Sequence, residues 1–176
     1  MKILIIPGSL RNGSSNHIIL KAAASFIPHN FQKIWFDGLG GLPHFNDSES
    51  PPEQVVKFQK LIAEADGILI CSPEYAFGVP GVLKNALDWT VGSGSFVDKP
   101  VALITAATGG EKAHASLLLT LSALSAIVPK DARLLISFVR SKINSQGEIT
   151  DPETKQKIDT VIKALIEAIS ETKHAD

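Results

Sequence analysis

Residues 2–6, KILII, are an unbroken aliphatic run, the pattern of a strand buried on both faces. Residues 67–72, GILICS, residues 100–106, PVALITA, and residues 132–138, ARLLISF, repeat it. Residues 31–36, FQKIWF, alternate loosely and predict a strand nearer the sheet edge. Between these runs the apolar positions fall at helical spacing. Ile19, Leu20, Ala23, Phe26 and Ile27 form one stripe after Ser14, a suitable helix cap. Val55, Phe58, Leu61, Ile62 and Ala65 form another over 53–65. Leu83, Ala86 and Leu87 share a face on a helix beginning near Pro80, whose missing N–H suits a first helical position. Residues 112–127 predict a fourth helix. Asp151 and Pro152 open a fifth, in which Ile158, Val161, Ile162, Leu165, Ile166 and Ile169 repeat. Residues 171–176 are expected to fray. Residues 37–52, rich in Gly, Pro, Asp and Ser, read as a loop. About sixteen residues is long for a loop in a compact domain and points to a functional one.

Strands thus alternate with helices five times. Apolar strands in that alternation predict a five-stranded parallel sheet with helices on both faces. The flavodoxin-like order 2-1-3-4-5 has its switch point between strands one and three, where ligands bind at the carboxyl ends. The two loops richest in chemistry follow those two strands.

The first of them, residues 7–16, is PGSLRNGSSN. It offers backbone N–H groups and a helix N-terminus to an anion. Ser9, Ser14 and Ser15 add hydroxyls, Asn16 an amide, and Arg11 a guanidinium suited to phosphate. It contains neither G-x-G-x-x-G nor a Gly-Lys-Ser/Thr ending, so it is neither a dinucleotide fingerprint nor a P-loop. A terminal monophosphate fits it better; a polar loop that only caps a helix is the alternative. The second loop opens residues 73–89, PEYAFGVPGVLKNALDW. Pro73 and Pro80 limit its freedom, and Gly78 and Gly81 let a flat ligand approach the backbone.

P-E-Y-x4-P-G-x-L-K-N-A-x-D-W resembles the NAD(P)H-dependent FMN reductase family, which includes quinone, azo-dye and chromate reductases. Residues 8–16, GSLRNGSSN, match that family's G-S-x-R-x-x-S-x-N, and Thr108, Gly109 and Gly110 give a shorter third match. The three lie in the family's order along nearly all of the chain. The resemblance implies FMN, its phosphate on the loop of Ser9, Arg11, Ser14, Ser15 and Asn16. It places the flavin ring at Pro73, Glu74, Tyr75 and Ala76, with backbone N–H groups toward the ring edge. It brings Thr108, Gly109 and Gly110 to the pyrimidine end. A β–α turn with a core tyrosine, and a helix-opening turn, are the plainer alternatives for these two loops. The sequence departs from the family at Ala76, where Asn is usual, and its Gly-rich loop is shorter than usual.

Composition narrows the rest. A chain of 176 residues suits one domain with a real core, and 44% hydrophobic and 20% charged residues are ordinary for a globular protein. A formal net charge of −1 gives no ground for a nucleic-acid partner or an anionic membrane surface. No signal peptide is evident, and the uncharged run 113–129 falls short of the ~20 apolar residues of a membrane span. The lone Cys71 excludes an intrachain disulfide and reads as a buried small hydrophobe in a cytoplasmic protein. His17, His29, His44, His114 and His174 show no metal-site spacing. Asp88 and Glu74 are the carboxylates nearest the motif, but hydride transfer through a flavin needs no protein base. The expected protein is a cytoplasmic FMN oxidoreductase, and the family resemblance implies a homodimer or homotetramer. It would take hydride from NADPH or NADH and pass it to a small acceptor such as a quinone, azo compound or free flavin. A flavin-binding sensor or carrier without turnover is the rival. A binding domain for another phosphorylated small molecule is the third reading.

Overall fold

The computed structural model describes residues 1–11 and 13–175, with the side chain of Ala175 left aside. Five strands, β1 (Lys2–Pro7), β2 (Gln32–Trp35), β3 (Gly67–Ser72), β4 (Val101–Ala106) and β5 (Arg133–Ile136), form one sheet. All neighbours are parallel, as the alternation predicts, and the order is β2-β1-β3-β4-β5, the flavodoxin-like order expected from the two loops after strands one and three. Successive side chains of a strand point to opposite faces, so each aliphatic run feeds two cores. Ile3, Ile5, Leu69, Cys71, Ala102 and Ile104 pack under α1 (Ser15–Phe26) and α5 (Pro152–Ala175). Leu4, Ile6, Ile68, Ile70, Val101 and Leu103 pack under α2 (Glu53–Glu64), α3 (Gly81–Asp88) and α4 (Glu111–Ala123). The central strands β3 and β4 are buried along their whole length.

Several boundaries differ from the sequence expectation, each for a local reason. Pro80 is the cap of α3 and Gly81 its first residue. The fourth helix stops at Ala123 because Ser125 turns left-handed, with φ 58°. The N–H groups of Ser125 and Ala126 then return to Ser122 and Leu121 carbonyls at 3.0 Å each, closing the helix in a Schellman motif. The fifth strand ends at Ile136, because Phe138 is left-handed at φ 52° and breaks the pleat. The second strand is four residues long and loses both terminal phenylalanines. Phe26, at the end of α1, leaves the buried stripe and faces a groove beside Ile18 and Lys21. In the stretch expected to fray, α5 continues to Ala175 and Lys173 pairs with Asp66 at 2.8 Å, while Asp176 lies outside the described residues.

The long loop 37–52 is anchored rather than loose. The indole N–H of Trp89 and the amide of Asn85 both donate to the Pro43 carbonyl, at 2.8 and 3.0 Å. The Asn85 side-chain oxygen accepts from the Phe45 N–H at 2.8 Å, and Phe45 packs edge-on against Trp89. The motif residues Asn85 and Trp89 therefore hold a loop in place. Asp88 forms an ion pair with Lys84 one turn earlier.

His114, on α4, lies against β4, where its Nδ1 is 2.9 Å from the Thr105 hydroxyl. Burial, helped by the charge of Arg133, lowers its pKa below the ordinary 6.5. The unfolded chain then binds a proton more readily than the native one, so stability rises with pH through that window. We expect the thermal midpoint to fall as pH drops through 6.5 toward the lower native pKa, and His114→Gln to flatten that slope. An unchanged slope in the variant would place the pH dependence elsewhere.

Candidate active site at the carboxyl edge of the sheet

The loops after β1, β3, β4 and β5 meet in a cleft of about 480 Å³, within the usual range for small-molecule sites. Arg11, Gly13, Ser14, Ser15 and Asn16 form one wall, and Pro73, Glu74 and Tyr75 another. Ala106, Ala107, Thr108, Val139 and Arg140 close it.

On the first wall, Ser14 caps α1, its hydroxyl accepting from the His17 N–H at 3.3 Å. The cap sets the helix start so that the N–H groups of Ser15 and Asn16 have no intrahelical acceptor. Asn16 itself is buried and turned inward. Its amide donates to the Ala106 carbonyl at 2.9 Å and its oxygen accepts from the Cys71 thiol at 3.3 Å. This side chain, expected at a phosphate, pins the first turn of α1 to β3 and β4 while Asn16 also lines the cleft. Burial pushes the Cys71 thiol far above its ordinary pKa, consistent with a packing role. Ser9 lies beneath the loop, its hydroxyl accepting from the Arg11 N–H at 3.2 Å. It stands 3.5 Å from the Tyr75 hydroxyl, at the outer limit of a hydrogen bond.

On the second wall, the Glu74 carboxylate crosses to the next loop. It accepts from the N–H groups of Gly110 and Ala113 at 3.1 and 2.9 Å. It therefore caps α4, whose own cap residue, Gly110, has no side chain and sits at φ 110°. Gly109 and Gly110 do not line the cleft; Thr108 does. The Ser137 hydroxyl donates to the Gly109 carbonyl at 3.0 Å and the Phe138 N–H to Thr108 at 3.0 Å, tying this loop to the one after β5.

Residues 75–78 form a two-residue hairpin, with Tyr75 and Gly78 exchanging N–H···O bonds of 3.1 and 2.9 Å. Ala76 and Phe77 both have positive φ, 49° and 58°, the signature of a type I′ turn. Such turns favour Asn and Gly, and other residues there are strained. Phe77 at the tip is 81% exposed and Ala76 does not reach the cleft wall.

The chain is similar over nearly its whole length to characterised flavoproteins. The family described as NADPH-dependent FMN reductase matches residues 1–140. A 2-hydroxy-1,4-benzoquinone reductase of Burkholderia is 36% identical over 168 residues, covering 91% of each chain. The chain belongs to the NADPH-dependent FMN reductase family. An NAD(P)H-dependent FMN reductase of Pseudomonas aeruginosa is 31% identical, covering 94% of this chain and 93% of that one. The solved NAD(P)H:(acceptor) oxidoreductase of Paracoccus denitrificans superposes with a TM-score of 0.83 at 27% identity, covering 97% of both. As a member of the FMN reductase family, the protein is a flavin-dependent oxidoreductase that uses FMN and NAD(P)H.

The residues present suit that cofactor. Among the described residues neither Arg11 nor Arg140 takes part in an ion pair. Two unpaired guanidinium groups and a helix N-terminus fit a phosphate, while Pro73, Tyr75, Ala106, Ala107 and Val139 offer apolar wall to a ring. Glu74, the carboxylate of the cleft, is held by the N–H groups of Gly110 and Ala113 at the start of α4. Sequence inspection did not single out Gly13, Ala106, Ala107, Val139 or Arg140; a basic residue just beyond the carboxyl end of the fifth strand was the available signal.

Two substitutions test this account of the site. Glu74→Ala removes a cap made by a charged acceptor and should lower the unfolding free energy by about 1–2 kcal/mol. Ala76→Gly relieves a left-handed backbone and should raise it by about 0.5–1 kcal/mol. Urea denaturation of both variants checks the pair; a neutral Glu74→Ala would mean that the cap is dispensable.

Proposed function

We propose that this protein passes hydride from NAD(P)H through bound FMN to a small acceptor of the quinone class. The carrying observation is that the anion-suited loop after β1 and the Pro73–Tyr75 wall face one another across one cleft at the switch point of the sheet. The relatedness to a 2-hydroxy-1,4-benzoquinone reductase supports the acceptor class. Azo compounds and free flavin are the other acceptors to compare.

Bound FMN would supply the two-electron chemistry, taking hydride from a nicotinamide and giving it up to an acceptor. The chain's own residues position and tune. Arg11, the Ser15 hydroxyl and the N–H groups of Ser15 and Asn16 hold the phosphate. Ser9, Ser14 and Asn16 fix the shape of that loop from below. Pro73, Glu74 and Tyr75 present backbone and an aromatic edge to the ring, and Thr108 presents backbone at its polar end, with Gly109 and Gly110 shaping the turn behind it. Ala76 lies beyond the wall, where it shapes the turn and the mouth of the site. No side chain is assigned as a proton donor or nucleophile.

We further propose a homodimer or homotetramer acting in the cytoplasm. Phe77 and Phe138 are 81% and 68% exposed, an aromatic cost that a second subunit would offset. The one cysteine is a buried free thiol, suited to a reducing compartment. No helix of the described residues is long and apolar enough to cross a membrane.

The purified protein should take up one FMN per chain, and NADPH should bleach its visible absorbance under anaerobic conditions. Arg11→Ala should weaken FMN by about 1.5–3 kcal/mol, the range for hydrogen bonds to charged groups, and riboflavin far less. FAD binding as tightly as FMN, or a flavin that NADPH never bleaches, would overturn the proposal.

A further inference from the structure

The loop after β5 contributes one cation to the cleft that no sequence motif contains. Residues Val139–Lys142 form a 3₁₀ turn with two basic side chains, Arg140 and Lys142. Lys142 is neutralised by Asp151 at 3.2 Å. Arg140 lines the cleft, and among the described residues no carboxylate pairs with it.

Its place is fixed by backbone. The Val139 N–H donates to Ala107 at 3.1 Å and the Phe138 N–H to Thr108 at 3.0 Å. Val139 is buried in the core shared by α1 and α5. On that same face the first turn of α1 is held to Ala106 by Asn16. The end of β4 thus carries both the start of α1 and the turn of Arg140. The two guanidinium groups belong to one cleft, while its carboxylate, Glu74, is engaged by Gly110 and Ala113.

A phosphate monoester carries close to two negative charges at neutral pH. One guanidinium and a helix N-terminus leave that charge only partly matched, and a fork-shaped donor is suited to the remaining oxygens. We propose that Arg140 is a second phosphate-holding residue, which with Arg11 makes the cleft selective for phosphorylated over unphosphorylated flavin. This rests on the FMN reading above. Arg140 acts in binding; it is not assigned to the transfer of hydride.

The test is fluorescence titration of the flavin-free protein with FMN and with riboflavin, for the wild type, Arg140→Gln and Arg140→Lys. Arg140→Gln should weaken FMN by about 10–100-fold, the loss of one charged hydrogen-bonding partner, and change riboflavin by less than about threefold. Arg140→Lys, which keeps the charge but not the fork, should fall between the wild type and Arg140→Gln. Equal losses for the two flavins, or an Arg140→Gln variant that binds FMN as the wild type does, would overturn the proposal while leaving the FMN reading intact. An altered ratio of NADPH to NADH use with unchanged FMN affinity would also overturn it, assigning Arg140 to the dinucleotide. A wild type that binds neither flavin would overturn both.

Discussion

Everything in this molecule follows from burying both faces of a parallel sheet. Such a sheet satisfies its backbone internally and leaves room for irregular chain only at its ends. From β1 the chain first steps outward to β2 at the edge, then returns across β1 to β3. At that reversal the loops after β1 and β3 diverge, and nothing in the regular structure fills the space between them. The cleft is the geometric remainder of the topology.

An opening of that kind needs its walls held from behind, and the structure does so with two side chains that reach between loops. On the face of α1 and α5, the amide of Asn16 bonds to the end of β4 and to Cys71 of β3. Across the cleft, Glu74 fastens the loop after β3 to the start of α4. Each replaces a missing local partner with a distant one: 90 residues separate Asn16 from Ala106, and 36 separate Glu74 from Gly110. The Glu74 arrangement also explains a glycine as the cap of α4. With the carboxylate supplied from elsewhere, the cap position is free to adopt φ 110°, a conformation open to glycine.

The sequence carried the architecture well because aliphatic runs and helical stripes are local signals. Alternation pointed to a parallel sheet, and the placement of the two richest loops after strands one and three pointed to the order and the switch point. It carried the composition of the cleft less well. Asn16 and Ser14 belong to a motif suggesting phosphate contact, yet Asn16 turns to the strands and the Ser14 hydroxyl caps α1. Ala76 reads as a lost polar group, whereas its φ of 49° makes backbone strain the nearer consequence. Asn85 and Trp89 sit in the most recognisable stretch of the chain, but their partner is the Pro43 carbonyl, some 40 residues earlier. Arg140 had no motif at all; it reaches the cleft because Phe138 turns left-handed, and no local pattern reveals such a turn at a phenylalanine. What a residue touches at long range is fixed by the folded topology, which spacing does not encode.

Cys71 gives the protein a built-in reporter. It is the one thiol in the chain, fully buried under the first turn of α1 and bonded to Asn16. A thiol reagent reaches it only when that turn parts from the sheet, so the rate of modification times the opening of the cleft wall itself. Reactivity measured with and without bound ligand then becomes a clock for local unfolding, requiring neither an added label nor a second cysteine to be removed.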